Sequence, residues 1–113
     1  MNLKLIPTPE FSQSVKKLNK KYQLITKDLK TLEKELFKNP KSGIKLGNNI
    51  FEVRIPNSSI PVEKRGGFRV VYYYRDSNNK IYLLAIYSKT DIENITDRRL
   101  LDILAKNGLG RFG

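Results

Sequence analysis

The chain has 113 residues, a length that suits one domain over positions 1–113 built round one core, and its 22 Lys+Arg against 11 Asp+Glu give a net charge of +11. With no Cys and no His, disulfides, thiolate metal sites and a Cys nucleophile are excluded, and the usual general base and commonest metal ligand are missing; a zinc enzyme and a Ser-His-Asp hydrolase are set aside on that ground. The charge suits a phosphate backbone, an anionic membrane or an acidic protein without choosing among them, and a nucleic-acid target is the favoured expectation.

An apolar share of 39%, with five Phe and six Tyr, is enough for a core. No run of about eighteen apolar residues could span a membrane, and Met1 to Glu10 lacks the apolar core and cleavage site of an export signal, so a cytoplasmic protein is expected. The lack of Cys agrees with a reducing compartment.

Leu3-Lys4-Leu5-Ile6 reads as a first strand stopped by Pro7 and Pro9. Thr8 then suits an N-cap with Pro9 at the first helical position, and Phe11, Val15 and Leu18 follow at helical spacing, predicting a helix from Pro9 to about Lys20. A second helical pattern runs through Tyr22, Ile25, Leu29, Leu32, Leu36 and Phe37 and stops near Asn39-Pro40. The short link between them predicts an antiparallel helical hairpin over one sheet face. Lys16, Lys17, Lys20 and Lys21 read as a solvated helix face that could also help hold RNA.

Lys41 to Asn49, with Gly43, Gly47 and two Asn, reads as a loop. Phe51 to Ile55 alternates apolar and charged residues, Phe68 to Tyr74 is rich in Val and Tyr, and Ile81 to Tyr87 is mostly apolar; all three predict strands. Asp76-Ser77-Asn78-Asn79 is a hairpin signal between the last two, and Pro56 to Arg65 is a longer polar connection. Thr90 or Asp91 would cap a last helix carrying Ile92, Ile95, Leu100, Ile103 and Leu104, ended by Asn107-Gly108. The predicted order is β-α-α-β-β-β-α, an α+β fold with a mostly antiparallel four-stranded sheet, an N-terminal helical hairpin and a C-terminal helix.

That order, with Lys64-Arg65-Gly66-Gly67-Phe68-Arg69-Val70-Val71-Tyr72-Tyr73-Tyr74 and then Leu83-Leu84-Ala85-Ile86-Tyr87-Ser88-Lys89, resembles the RelE/HigB toxins of type II toxin-antitoxin modules within the RelE/ParE superfamily. The family pattern is Gly-aromatic-Arg-aliphatic-aliphatic-Tyr-Tyr, a hairpin, and an apolar strand ending in Tyr-x-Lys. Phe37-Lys38-Asn39-Pro40 with Gly43 and Leu46 is similar to the family's link from second helix to second strand. The resemblance implies an endoribonuclease that cuts mRNA on the ribosome by attack of the ribose 2′-OH, leaving a 2′,3′-cyclic phosphate, with no metal or organic cofactor. It also implies a cognate antitoxin as partner, in a toxin-antitoxin hetero-oligomer.

Metal-free RNA cleavage must activate the 2′-OH, stabilise charge at phosphorus and protonate the leaving 5′-oxygen. Clustered cations serve the second need, and a Lys whose pKa is lowered by like charges serves the first. Strand alternation puts Arg69, Val71 and Tyr73 on one face and Phe68, Val70 and Tyr72 on the other. The resemblance places the family's phosphate-binding arginine on Arg69; an edge cation or an ion pair with Glu52 is the structural alternative. Lys64 and Arg65 precede Gly66-Gly67, where a phosphate could approach the backbone, or where a strand bulge could sit between solvated charges.

Arg54 projects from the neighbouring strand, close to where the family carries a lysine. Lys89 matches the end of the Tyr-x-Lys pattern, and Tyr87 could stack on a base, donate a proton or simply fill the core. The expected catalytic set is therefore Arg69, Lys64, Arg65, Lys89 and Tyr87, and the expected RNA contacts are Arg54, Lys64, Arg65, Arg69 and Tyr87. Glu63 and Glu93 are the nearest acids that could act as a base or orient a cation, and the favoured reading of both is an ordinary surface charge. Some RelE proteins carry a tyrosine in the last helix, and Glu93-Asn94-Ile95-Thr96 has none. Two other functions fit the same residues: a ParE-like gyrase poison, which shares the fold, and a non-catalytic basic nucleic-acid-binding protein or decayed toxin.

Overall fold

The computed structural model describes residues 2–61, 67–92 and 94–109. Strand β1 (Lys4–Pro7) leads to helices α1 (Pro9–Lys21) and α2 (Ile25–Lys38), then β2 (Ile44–Gly47), β3 (Ile50–Ile55), β4 (Phe68–Arg75), β5 (Lys80–Ser88) and α3 (Asp97–Lys106). The sheet order is β1-β5-β4-β3-β2, and β1 runs parallel to β5 while every other pairing is antiparallel.

This corrects the four-stranded expectation: among the described residues the sheet has five strands and is mixed. The additional strand, β2, lies inside the stretch read as a loop. It pairs with β3 across Asn48 and Asn49, and Asn49 adopts a left-handed φ of 58° that closes the turn.

Thr8 caps α1 as expected, its hydroxyl oxygen accepting the Phe11 N–H at 3.2 Å while its O–H donates to the Leu83 carbonyl at 2.8 Å. The cap thereby ties the helix start to β5. The hairpin of α1 and α2 covers one sheet face, where Phe11, Ile25, Leu32 and Leu36 meet Phe51, Val53, Phe68, Val70 and Tyr72. Tyr72 is fully buried there, stacked on Phe51 with ring centroids 5.5 Å apart, and its hydroxyl donates to the Ser42 carbonyl at 2.6 Å. Burial pushes its pKa well above the ordinary phenol range.

Helix α3 takes the opposite face, packing Leu100, Ile103 and Leu104 on Ile50, Val71, Leu84 and Ala85. Its start is corrected: Thr96, not Thr90 or Asp91, is the N-cap, accepting the Arg99 N–H at 3.1 Å. The Ser88 carbonyl accepts the N–H groups of both Asp91 and Ile92, each at 3.0 Å, so the chain turns where the helix was expected. Asn107 pins the other end by donating to Glu10 at 2.9 Å, which holds that carboxyl below its ordinary range. Among the described residues no helix is long and apolar enough to cross a membrane.

Candidate functional site

Alternation along β3, β4 and β5 builds one row of side chains on the α3 side of the sheet. Arg54 lies opposite Arg69, and Arg69 opposite Tyr87. The next row holds Ile44, Glu52, Val71 and Ala85, by the pairings Ile44 with Glu52, Glu52 with Val71 and Val71 with Ala85. Neighbouring strands stand about 4.8 Å apart, so the two arginines and Glu52 form one compact group. Arg54 is exposed, Arg69 and Glu52 are half-buried, and Tyr87 is buried. Like charges directly opposite one another on a sheet are unfavourable, and an anion seated over them removes that cost.

Tyr87 reaches from β5 towards β3, and its hydroxyl donates to Glu52 Oε1 at 2.9 Å. Burial first, and then the Glu52 carboxylate, push its pKa up to about 12, against the smaller opposing pull of the Ile95 backbone N–H and the Arg69 guanidinium. The phenol therefore stays protonated at neutral pH. At 6% exposure the ring offers little surface to a base, whereas the hydroxyl is directed at a carboxylate. Glu52 is the residue that sequence reasoning passed over as a reactive group. Its signal was there, since it stands two positions before Arg54 on an alternating strand and so shares its face.

Lys89 lies just past β5, and its N–H donates to the Gly67 carbonyl at 3.3 Å, which carries the β4–β5 ladder one residue further. It stands two positions beyond Tyr87, as the first residue of the turn that follows Ser88. Lys64, Arg65 and Gly66 lie outside the described residues, as do Glu63 and Glu93. Gly67 has a local reason to be glycine: its φ is +60°, and a Cβ there would stand 2.5 Å from the Ile55 carbonyl oxygen. The site thus brings together Arg54, Arg69 and Tyr87, adds Glu52, and leaves Lys89 at the end of the row.

The remaining strand tyrosines divide by strand parity. Tyr72 is core; Tyr73 stacks on Tyr82 at 6.2 Å, with the Arg75 guanidinium over both rings. Tyr74 donates to Asn79 at 3.3 Å beside the hairpin turn. Among the described residues, no group of three or more Asp or Glu is placed to hold a metal ion.

No family model matches the chain. Among solved structures it is similar to the E. coli toxin RelE, captured in the free state as a mutant with two arginines changed to alanine. The TM-score is 0.59 over 96% of this chain and 100% of that one. The chain has a RelE-like fold. At 15% sequence identity the likeness is one of fold. The three helices, their places on the two sheet faces and the five-stranded mixed sheet are therefore the scaffold on which the row of Arg54, Arg69 and Tyr87 has to be interpreted.

Proposed function

We propose that this chain is the toxin of a type II toxin-antitoxin module, a single-domain endoribonuclease of residues 1–113 that cuts mRNA on the ribosome without a metal. The observation that carries the reading is the facing pair Arg54 and Arg69, next to the Tyr87–Glu52 hydrogen bond, on the RelE-like sheet.

In this mechanism the two guanidinium groups hold the scissile phosphate and neutralise the charge that builds on it. The Glu52 carboxylate takes the proton from the ribose 2′-OH as that oxygen bonds to phosphorus. Tyr87, kept protonated by its surroundings, holds the carboxylate in place through its O–H. The bond from phosphorus to the 5′-oxygen breaks, and Lys89 delivers a proton to the leaving oxygen. The products are a 2′,3′-cyclic phosphate and a 5′-OH. Lys64 and Arg65 add phosphate contacts from the connection between β3 and β4, and the exposed lysines of α1 and α2 raise the positive potential that draws RNA in. The cognate antitoxin covers the cationic face, and the protein acts in the cytoplasm.

Inducible expression in bacteria, with growth and mRNA ends followed together, tests the proposal. Wild type is expected to arrest growth and produce new ends inside translated messages, and Arg69→Ala to do neither. Arrest with intact messages and DNA damage signalling would replace the ribonuclease with a gyrase poison. Harmless expression of the wild type would leave a non-catalytic binder.

A further inference from the structure

The end of α1 and the turn after β5 are joined by a polar cluster that the mechanism above does not use. Tyr22, which caps the C-terminus of α1, is 3% exposed and packs edge-on against Phe68, with ring centroids 5.5 Å apart. Its O–H is shared between the two Asp91 carboxylate oxygens at 3.3 and 3.4 Å, and its oxygen accepts the O–H of buried Ser88 at 3.4 Å. Lys21 donates to the same carboxylate at 2.7 Å, with its ammonium 5.3 Å from the centre of the Tyr22 ring.

Ser88 ties the cluster to the turn. Its carbonyl accepts the N–H groups of Asp91 and Ile92, and its Oγ accepts the Thr90 N–H at 3.2 Å. Lys89 is the first residue inside that turn and the one whose own N–H extends the ladder to Gly67. A hydrogen bond between two side chains 69 positions apart in the chain therefore anchors Asp91, on the far side of Lys89 from the strand. Against Phe68 the ring of Tyr22 would pack equally well as phenylalanine, so what its hydroxyl adds is the link between the Asp91 carboxylate and the Ser88 hydroxyl, one at each end of the turn. A polar contact at a half-exposed position adds little to global stability, but it removes freedom from the turn it closes.

We infer that Tyr22 and Asp91 are a positioning pair for Lys89, fixing the turn so that the ammonium stands at the end of the row of Arg54, Arg69 and Tyr87. The catalytic consequence rests on the ribonuclease reading, whereas the placement of Lys89 does not. Neither residue touches RNA in this scheme; both act through the backbone from Ser88 to Asp91.

Two readouts on the full-length protein separate these statements. The first is cleavage of mRNA on programmed ribosomes by wild type, Tyr22→Phe, Asp91→Asn, Lys89→Ala and the double variant Tyr22→Phe/Lys89→Ala. The second is the side-chain Cε resonance of Lys89, assigned by its loss in Lys89→Arg. Tyr22→Phe should slow cleavage about 10- to 100-fold with KM unchanged, the range expected when a reacting group shifts by about an ångström. The double variant should be no slower than Lys89→Ala alone, and the Lys89 resonance should move in both Tyr22→Phe and Asp91→Asn.

Equal fractional losses with and without Lys89, or a Lys89 resonance that stays in place, would overturn the positioning role. If wild type cuts nothing while the resonance moves, the ribonuclease reading falls and the positioning pair stands. Thermal unfolding of each variant separates a lost fold from a misplaced turn.

Discussion

The two faces of the sheet are built from the same strands and carry opposite commitments. On the hairpin side, β3 and β4 present Phe51, Val53, Ile55, Phe68, Val70 and Tyr72, all buried under two helices. On the other side the same strands present Ile50, Glu52, Arg54, Arg69 and Val71, and the one helix α3 packs on the apolar residues of that set. The period of two lets a short chain place its core on one parity and its charges on the other. A domain of 113 residues with one principal core can therefore keep a charged half-face at small cost in stability, because the hairpin side supplies the burial.

That comparison is broken most directly from the hairpin side. Tyr72→Ala should lower stability by about 3–5 kcal/mol, read from a denaturant midpoint, because it empties a fully buried ring site and leaves the Ser42 carbonyl without its donor. Arg69→Ala, one parity away, should do the reverse: cleavage falls about 100- to 1000-fold, the cost of removing one charge-stabilising donor, while stability stays within about 1 kcal/mol. If Arg69→Ala unfolds the protein, the division between the faces is wrong.

Gly67→Ala tests the junction of the two. A left-handed backbone and the nearby Ile55 carbonyl should make it cost about 1–3 kcal/mol in stability, with a matching loss of cleavage only in so far as Lys89 is displaced.

The smallest effect is a pH effect. Tyr87 has a folded pKa of about 12 against an ordinary 10.0, so the folded state keeps a proton that the unfolded chain gives up. The stabilisation is fully present below pH 10 and is lost as pH rises from about 10 to 12. Melting temperatures followed across that range should fall less steeply in Tyr87→Phe than in wild type. Tyr72, raised on the hairpin side, contributes a slope of the same sign that the Tyr87 variant leaves in place.

Much of the hairpin face was legible in the residues. Thr8-Pro9 marks a helix start by a cap and a residue that needs no N–H donor there, and the alternation from Phe68 to Tyr73 assigns each side chain its face. The α3 face was harder to see. β2 is only four residues long, with three of them exposed, so no buried periodicity announces it. In β5 the pairing shifts between Val71 and Tyr72 of its partner, so that Leu84 and Ala85 both join the α3 cluster while Leu83 and Ile86 join the other. Every residue from Leu83 to Ile86 is apolar, and a bulge among interchangeable hydrophobes leaves no mark in the sequence.

The start of α3 was misplaced for a related reason: Thr90, Asp91 and Thr96 are all acceptable caps. The choice is made by Tyr22 and Lys21, which already hold the Asp91 carboxylate from far away in the chain. The site followed the same logic. Arg54, Arg69 and Tyr87 were each visible as residue types, but the hydrogen bond that turns Glu52 and Tyr87 into a pair crosses β4 and belongs to the tertiary structure alone.

Among the described residues, β1 pairs with β5 alone. Lys4 stands beside Lys80 and Pro7 beside Leu83, with Thr8 bonded to Leu83 by both backbone and side chain. On a translating ribosome β1 therefore has no sheet partner until the residues of β5 have cleared the exit tunnel. The nascent chain can assemble its local helices early, but it cannot close its sheet until β5 has emerged. Polypeptides truncated ahead of β5 should accordingly remain open to proteases, and the row of Arg54, Arg69 and Tyr87 comes into being only once β5 has joined β4.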